Sequence, residues 1–173
     1  VGWINERKGL KYLIEAMPYV LKNNPETLLL VVGKGPLQEK LQKRVRDLTI
    51  KNKVFFVGEK NPEEVADYMS AADLLVLPSL CEGLPNVVLE AFSAGLAVIA
   101  TDVGGTKEIV QNNKTGFLIQ SKNTKQIIEK TNQLLQKPIL SKKFVTASKK
   151  LLQKQNLTWP KSAKLHIELY KKL

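Results

Sequence analysis

The stretch LLVLPSLCEGLPNVVLEAFSAGLAVIAT, residues 74–101, decides the fold. It opens on Leu74–Leu77, a short apolar run with no polar alternation, the mark of a strand buried on both faces. Pro78–Leu84 interrupts that run with proline, serine, glutamate and glycine, and reads as a loop. Pro85–Ala94 carries apolar residues at helical spacing, and Gly95 stands where a helix ends. Ala97–Ala100 is a second apolar run. Strand, helix and strand in that order imply a parallel pair joined by a crossover.

The same alternation extends in both directions. Upstream, Leu28–Val32 and Val54–Val57 read as strands and Pro62–Ala72 as a helix. Leu37, Leu41, Val45 and Leu48 form a helical stripe opened by Pro36. Leu10 to Leu21 has helical spacing too, with Pro18 expected to kink it or end its first part. Downstream, Thr106–Gln111 predicts a short helix and Gly116–Ile119 a strand. Two Lys-rich amphipathic helices follow, with inner faces Ile127, Ile128, Thr131, Leu134, Leu135 and then Phe144, Val145, Ser148, Leu151, Leu152. A last helix is expected from Pro160, with Ala163, Ile167 and Tyr170 on one face. The pattern predicts an α/β fold, a doubly wound, mostly parallel Rossmann-like sheet of about six strands. Ligands of such sheets sit beyond the carboxyl ends of the strands. Those ends are Trp3–Lys8, Gly33–Pro36, Val57–Lys60, Pro78–Pro85 and Thr101–Thr106.

Composition narrows the chemistry. The chain has 173 residues, 43% hydrophobic and 25% charged, which fits a globular domain. Cys81 is the single cysteine and His166 the single histidine, so an internal disulfide, a cysteine metal cluster and an in-chain imidazole triad are excluded. Cys81 reads as a small loop residue, with no histidine or metal to activate it. The longest apolar runs fall far short of a membrane span, and no N-terminal signal peptide is visible. Asn113 and Asn156 sit in formal glycosylation sequons, read as chance matches. The net charge is +11, and residues 121–173 hold all of it, with 13 lysines against Glu129 and Glu168. One reading is a set of solvated helix faces; the other is a patch for an anionic membrane surface or another polyanion. Nucleic acid is not expected, since few aromatics accompany the lysines and no recognition motif appears.

Within Pro78–Glu90, Glu82 lies in a strand-to-helix loop and Gly83 lets a ligand approach the backbone. The helix that follows starts with free N–H groups and a positive dipole end, suited to phosphate. From Glu90, about one and a half turns in, a carboxylate can accept two hydrogen bonds from a vicinal diol such as ribose. Taken singly, Glu82 also reads as a loop charge and Glu90 as a solvated helix residue.

Together they carry a resemblance. The E-x7-E spacing in EGLPNVVLEAFSAGLAVIATDVGG resembles the C-terminal nucleotide-binding domain of GT-B glycosyltransferases, closest to glycosyltransferase family 4 (glycosyl transferases group 1). VGWINERKGLKYLIEAM, LLLVVGKGP, VFFVGEKNPEEVADYMSAADLLVLPS and LTWPKSAKLHIELYKKL resemble further family segments in the right order. The resemblance implies a retaining, metal-independent transferase that uses a UDP- or GDP-sugar and no other cofactor. It implies Lys8 on the donor diphosphate and Glu82 beside the donor sugar as the catalytic pair. Gly83, Leu84, Pro85, Asn86 and Val87 would meet sugar and diphosphate, and Glu90 the ribose. Gly33 and Gly35 would line the nucleotide pocket, and Val57, Gly58 and Glu59 would contact the base. No metal site is implied, and the chain has no Asp-x-Asp.

Two departures stand out. The family commonly places an arginine after the glycine of its first loop, and here the residue is Trp3, with Arg7 near in sequence. The family also has two Rossmann-like domains. The expectation is a Rossmann-like nucleotide-sugar domain over 1–157, a crossover helix over 158–173, and a partner N-terminal acceptor domain absent from this chain. Alone, the chain is expected to bind nucleotide weakly and transfer little sugar. It is expected to be cytoplasmic, with peripheral contact at the inner membrane face through the basic segment. The alternatives are a non-catalytic nucleotide-binding module, supported by Trp3, and a GT-B sugar-nucleotide epimerase.

Overall fold

The structure is a computed structural model that describes residues 1–155. The helix expected from Pro160 and the boundary at residues 157 and 158 lie outside the described residues.

Helix α1 (Leu10–Asn23) leads to β1 (Leu29–Val32), α2 (Gln38–Asp47) and β2 (Val54–Gly58). Then come α3 (Pro62–Ser70), β3 (Leu74–Leu77), α4 (Asn86–Ala94), β4 (Ala97–Thr101), the short α5 (Thr106–Ile109) and β5 (Phe117–Ile119). Helices α6 (Thr124–Gln136) and α7 (Pro138–Gln155) complete the described chain. All strand pairs are parallel. The sheet is split, with β1 paired to β2 and β3-β4-β5 forming a separate three-stranded sheet.

The count is therefore five strands among the described residues, against an expected six or so. Val1–Ile4 makes two bonds beside the end of β1, from Gly2 N–H to the Val32 carbonyl (2.9 Å) and from Ile4 N–H to the Lys34 carbonyl (2.8 Å). These anchor the segment without building a strand. Among the described residues no strand pairing joins β1 to β3; a cleft between them is walled by Leu30, Val76, Leu13 and Met17 among others.

The doubly wound character shows in how successive strand residues divide. Leu75, Leu77, Val98 and Ala100 join Met69 of α3 and Val88 and Phe92 of α4 on one face. Ala97, Ile99, Phe117 and Ile119 meet Leu13 of α1, Ile127 of α6 and Phe144 of α7 on the other. The period of two along a strand sends neighbours to opposite faces. Every residue of β4 is buried as a result. The Phe117 and Phe144 rings meet edge to face, 5.0 Å between centroids.

Of the two outcomes expected at Pro18, a kink or an end, the structure excludes the end; the helix runs unbroken to Asn23. Proline removes one backbone donor. Burial of Ile14, Met17 and Val20 on either side holds the helix through it. Gly95 does cap α4 in the left-handed conformation, with φ 84°.

Candidate functional site

The site is built at the carboxyl ends of the strands by the first nine residues. Asn5 opens a single 3-10 turn over Glu6–Lys8, and Gly9 closes it in the left-handed conformation. A Cβ at Gly9 would strike the Pro78 carbonyl oxygen, so only glycine lets the turn lie against the β3 loop. Leu80 N–H donates to the Arg7 carbonyl at 2.6 Å and fixes that contact.

This brings Lys8 to Glu82. Lys8 Nζ donates to Glu82 Oε1 at 2.7 Å, and Ser79 Oγ donates to the same oxygen at 2.6 Å. Glu82's side chain is only 7% exposed and Lys8's 28%. Ser79 is fully buried, and its carbonyl accepts the Thr101 hydroxyl at 2.6 Å. The carboxylate is thus held by Ser79 beyond β3 and by Lys8 of the N-terminal turn, and Ser79 is itself fixed to β4 by Thr101. Both recorded bonds fall on Oε1, which leaves Oε2 for another donor. The ammonium has three donors and gives one to Glu82.

Gly83 follows in open space. No atom lies within reach of a Cβ there, and its φ is not left-handed. Each of the other described glycines is required by its φ or by a close neighbour. Gly104 and Gly105 pack beneath this loop, with Gly105 N–H donating to the Gly83 carbonyl at 2.8 Å. Pro85 is the N-cap of α4; no side chain caps that helix and no acid stands in its first turn. Leu84 and Asn86 are exposed, Val87 half-buried and Glu90 exposed on the helix.

The remaining predicted residues gather across the cleft. Gly33 N–H donates to the Gly58 carbonyl at 2.7 Å. A Cβ on Gly33 would strike Gly2, and one on Gly35 would strike Ile4, so both glycines admit the N-terminal segment. Val57 and Gly58 end β2 half-buried, and Glu59 forms an exposed ion pair with Lys34. Trp3, 53% exposed, lines the cleft with Lys8. Glu82 and Glu90 do not line that cleft, which is apolar and runs down between the sheets.

The sequence profile of "Glycosyl transferases group 1" matches residues 1–151. The chain belongs to that family. An uncharacterised glycosyltransferase of Methanocaldococcus jannaschii is 30% identical over 99% of this chain and 43% of its own length. The UDP-Gal:alpha-D-GlcNAc-diphosphoundecaprenol alpha-1,3-galactosyltransferase of Escherichia coli is 35% identical over 69% of the chain and 31% of its own. This group 1 chain thus spans less than half the length of these curated relatives. Among solved structures, the C-terminal domain of a group 1 glycosyl transferase, LpcC of Francisella tularensis, matches with TM-score 0.84 at 27% identity, covering 90% of this chain and 83% of that one. HepE of Anabaena, solved in complex with UDP, matches with TM-score 0.88 at 22% identity, covering 99% and 48%. The fold is that of a GT-B C-terminal domain.

Sequence reasoning missed three parts of this group 1 site: Ser79, Gly104 and Gly105. Ser79 carried a faint signal, a hydroxyl at a strand end three residues before a glutamate. The glycine doublet just beyond β4 was the clearer one. Neither the Lys8–Glu82 ion pair nor the use of Gly33 and Gly35 for chain packing was visible without the fold.

Proposed function

We propose that this chain is the donor-binding half of a retaining, metal-independent glycosyltransferase that takes a sugar from a UDP- or GDP-sugar. The observation that carries the reading is Gly83, a glycine that neither conformation nor packing requires, set between a tethered carboxylate and an uncapped helix start. A backbone left bare there suits a ligand that lies against it.

In this reading the donor diphosphate sits at the α4 N-terminus, where unpaired N–H groups and the dipole favour negative charge. Lys8 turns its remaining donors toward it. The anomeric C–O bond breaks, its electron pair passes to the diphosphate, and the acceptor oxygen bonds to the same face of the sugar, its proton passing to the leaving phosphate. Charge grows on the diphosphate, and a fixed ammonium and helix start stabilise that growth. Glu82 Oε2 accepts a donor-sugar hydroxyl, and Glu90 accepts the ribose hydroxyls. Val57, Gly58 and Glu59 meet the base, and Gly33 and Gly35 shape the pocket wall. The acceptor, a glycan, lipid-linked sugar or small molecule, is supplied with the partner N-terminal domain.

The test is calorimetric titration of the chain with UDP, GDP and their sugar conjugates, beside Glu90→Ala. Saturable binding of one nucleotide, lost in the variant, is expected. A folded chain that binds none of them would overturn the donor-site reading. A second reading, a nucleotide-binding module without turnover, is favoured by Trp3, exposed where the family has a cation. It predicts that Trp3→Arg strengthens UDP binding.

A further inference from the structure

Helix α7 separates its residues sharply. Phe144 and Ser148 are buried, and Leu140, Val145, Leu151 and Leu152 half-buried, against the rest of the fold. Lys142, Lys143, Lys149, Lys150 and Lys154 are all exposed. At 3.6 residues per turn these five lysines fall within an arc of about 140°. The helix has 18 residues and no acid, so the stripe from Lys142 to Lys154 runs for about 18 Å without an opposite charge of its own. Among the described residues none of the five pairs with a carboxylate, whereas Lys8, Lys34, Arg44, Lys60 and Lys130 each do. Protein surfaces ordinarily intersperse the two signs.

An apolar residue stands in the middle of this arc. Ile139 is 86% exposed, the most open of the large hydrophobic residues described. Pro138, exposed beside it, and Lys137 and Lys143 frame it at the turn between α6 and α7.

We propose that the outer face of α7 is a docking surface for an anionic lipid bilayer, with the lysines over the headgroup phosphates and Ile139 entering the interface. Charge complementarity gives the attraction, since juxtamembrane lysines gain from the negative surface potential. Long lysine stems can lie along the interface while their ammonium groups reach the phosphates. Ile139 distinguishes a bilayer from a soluble polyanion, because only the bilayer offers an apolar layer to enter. The face carries lysine alone, with no arginine and no aromatic side chain, which disfavours nucleic acid as the occupant. The surface is separate from the donor mouth, and the inference does not depend on the nucleotide reading.

The test is sedimentation of the full chain with vesicles of phosphatidylcholine alone and of an equimolar mixture with phosphatidylglycerol. Binding is expected to the mixed vesicles only, and to weaken as salt screens the charge. Lys143→Gln, Lys150→Gln and Lys154→Gln should each weaken partitioning about fivefold. Ile139→Ser should weaken vesicle binding while leaving retention on heparin unchanged. All four positions are exposed, so melting temperature and nucleotide titration should match the parent chain and report folding and donor binding separately. Equal sedimentation with both vesicle types, or none with either, would overturn the proposal. Insensitivity to Ile139→Ser with full sensitivity to the lysines would also overturn it, in favour of a surface for soluble polyanions.

Discussion

Lys8 Nζ and Glu82 Oε1 lie 2.7 Å apart, joining residues 74 positions apart in sequence. The contact holds the N-terminal turn on the β3 loop and gives the buried carboxylate a positive partner. Removing the lysine leaves Glu82 with Ser79 alone. Lys8→Ala should therefore cost about 1–3 kcal/mol of stability, the usual penalty for a buried polar group that loses its partner. The exposed pair of Lys34 and Glu59 is the control: Lys34→Ala should change stability by no more than about 0.5 kcal/mol. Urea unfolding of both variants checks the contrast, and equal losses would show that burial of Glu82 does not set the energy.

Gly83→Ala separates folding from binding. A Cβ there meets nothing, so melting temperature should stay within about 2 °C of the parent chain. Affinity for a nucleotide-sugar should fall at least tenfold, ~1.4 kcal/mol, as the methyl group occupies the ligand's approach. Gly9→Ala makes the opposite case, since a Cβ there meets the Pro78 carbonyl oxygen and the fold itself should suffer. A Gly83→Ala chain that binds as the parent does would remove the main support for the donor site.

Helix α3 gives a test of local stability and its pH dependence. Asn61 accepts from Glu64 N–H at 2.8 Å, and the Glu64 carboxylate accepts from Asn61 N–H, a reciprocal cap. Asn61→Ala should cost about 1 kcal/mol in thermal unfolding. Glu64's pKa is lowered first by the hydrogen bond from Lys60, then by the Asn61 backbone. Its contribution is present above the usual carboxylate range and is lost as pH falls through the lowered value. Lys60 is raised by the same pair, so its contribution is present below the usual lysine range and lost as pH rises through the raised value. Glu64→Gln should flatten the acid limb of a melting-temperature profile; an unchanged acid limb would count against the cap's charge.

Much of the fold was legible because its signals are local. The runs at Leu74–Leu77 and Ala97–Ala100 became strands, and Gly95 capped α4 as its position implied. The face of α7 was also legible, through Phe144 and Ser148 at helical spacing. That α1 continues past Pro18 was not legible, because tertiary burial of its neighbours outweighs one missing donor. Glu82 was found through its motif, but its partners Lys8 and Ser79 depend on how Gly9 lets one loop lie on another. Such contacts are set by distant backbone.

Helix α1 has a mechanical consequence. Leu13 packs in one core and Ile14 and Met17 in another, so α1 is the shared spine of both. Packing lost there should be felt on both sides of it. Native-state amide exchange of a Leu13→Ala chain should show lowered protection in β1-β2 and in β3-β4-β5 together. A nucleotide bound from Gly58 to Gly83 would tie the same strands a second time and act as a clasp. It should restore protection to both sets at once.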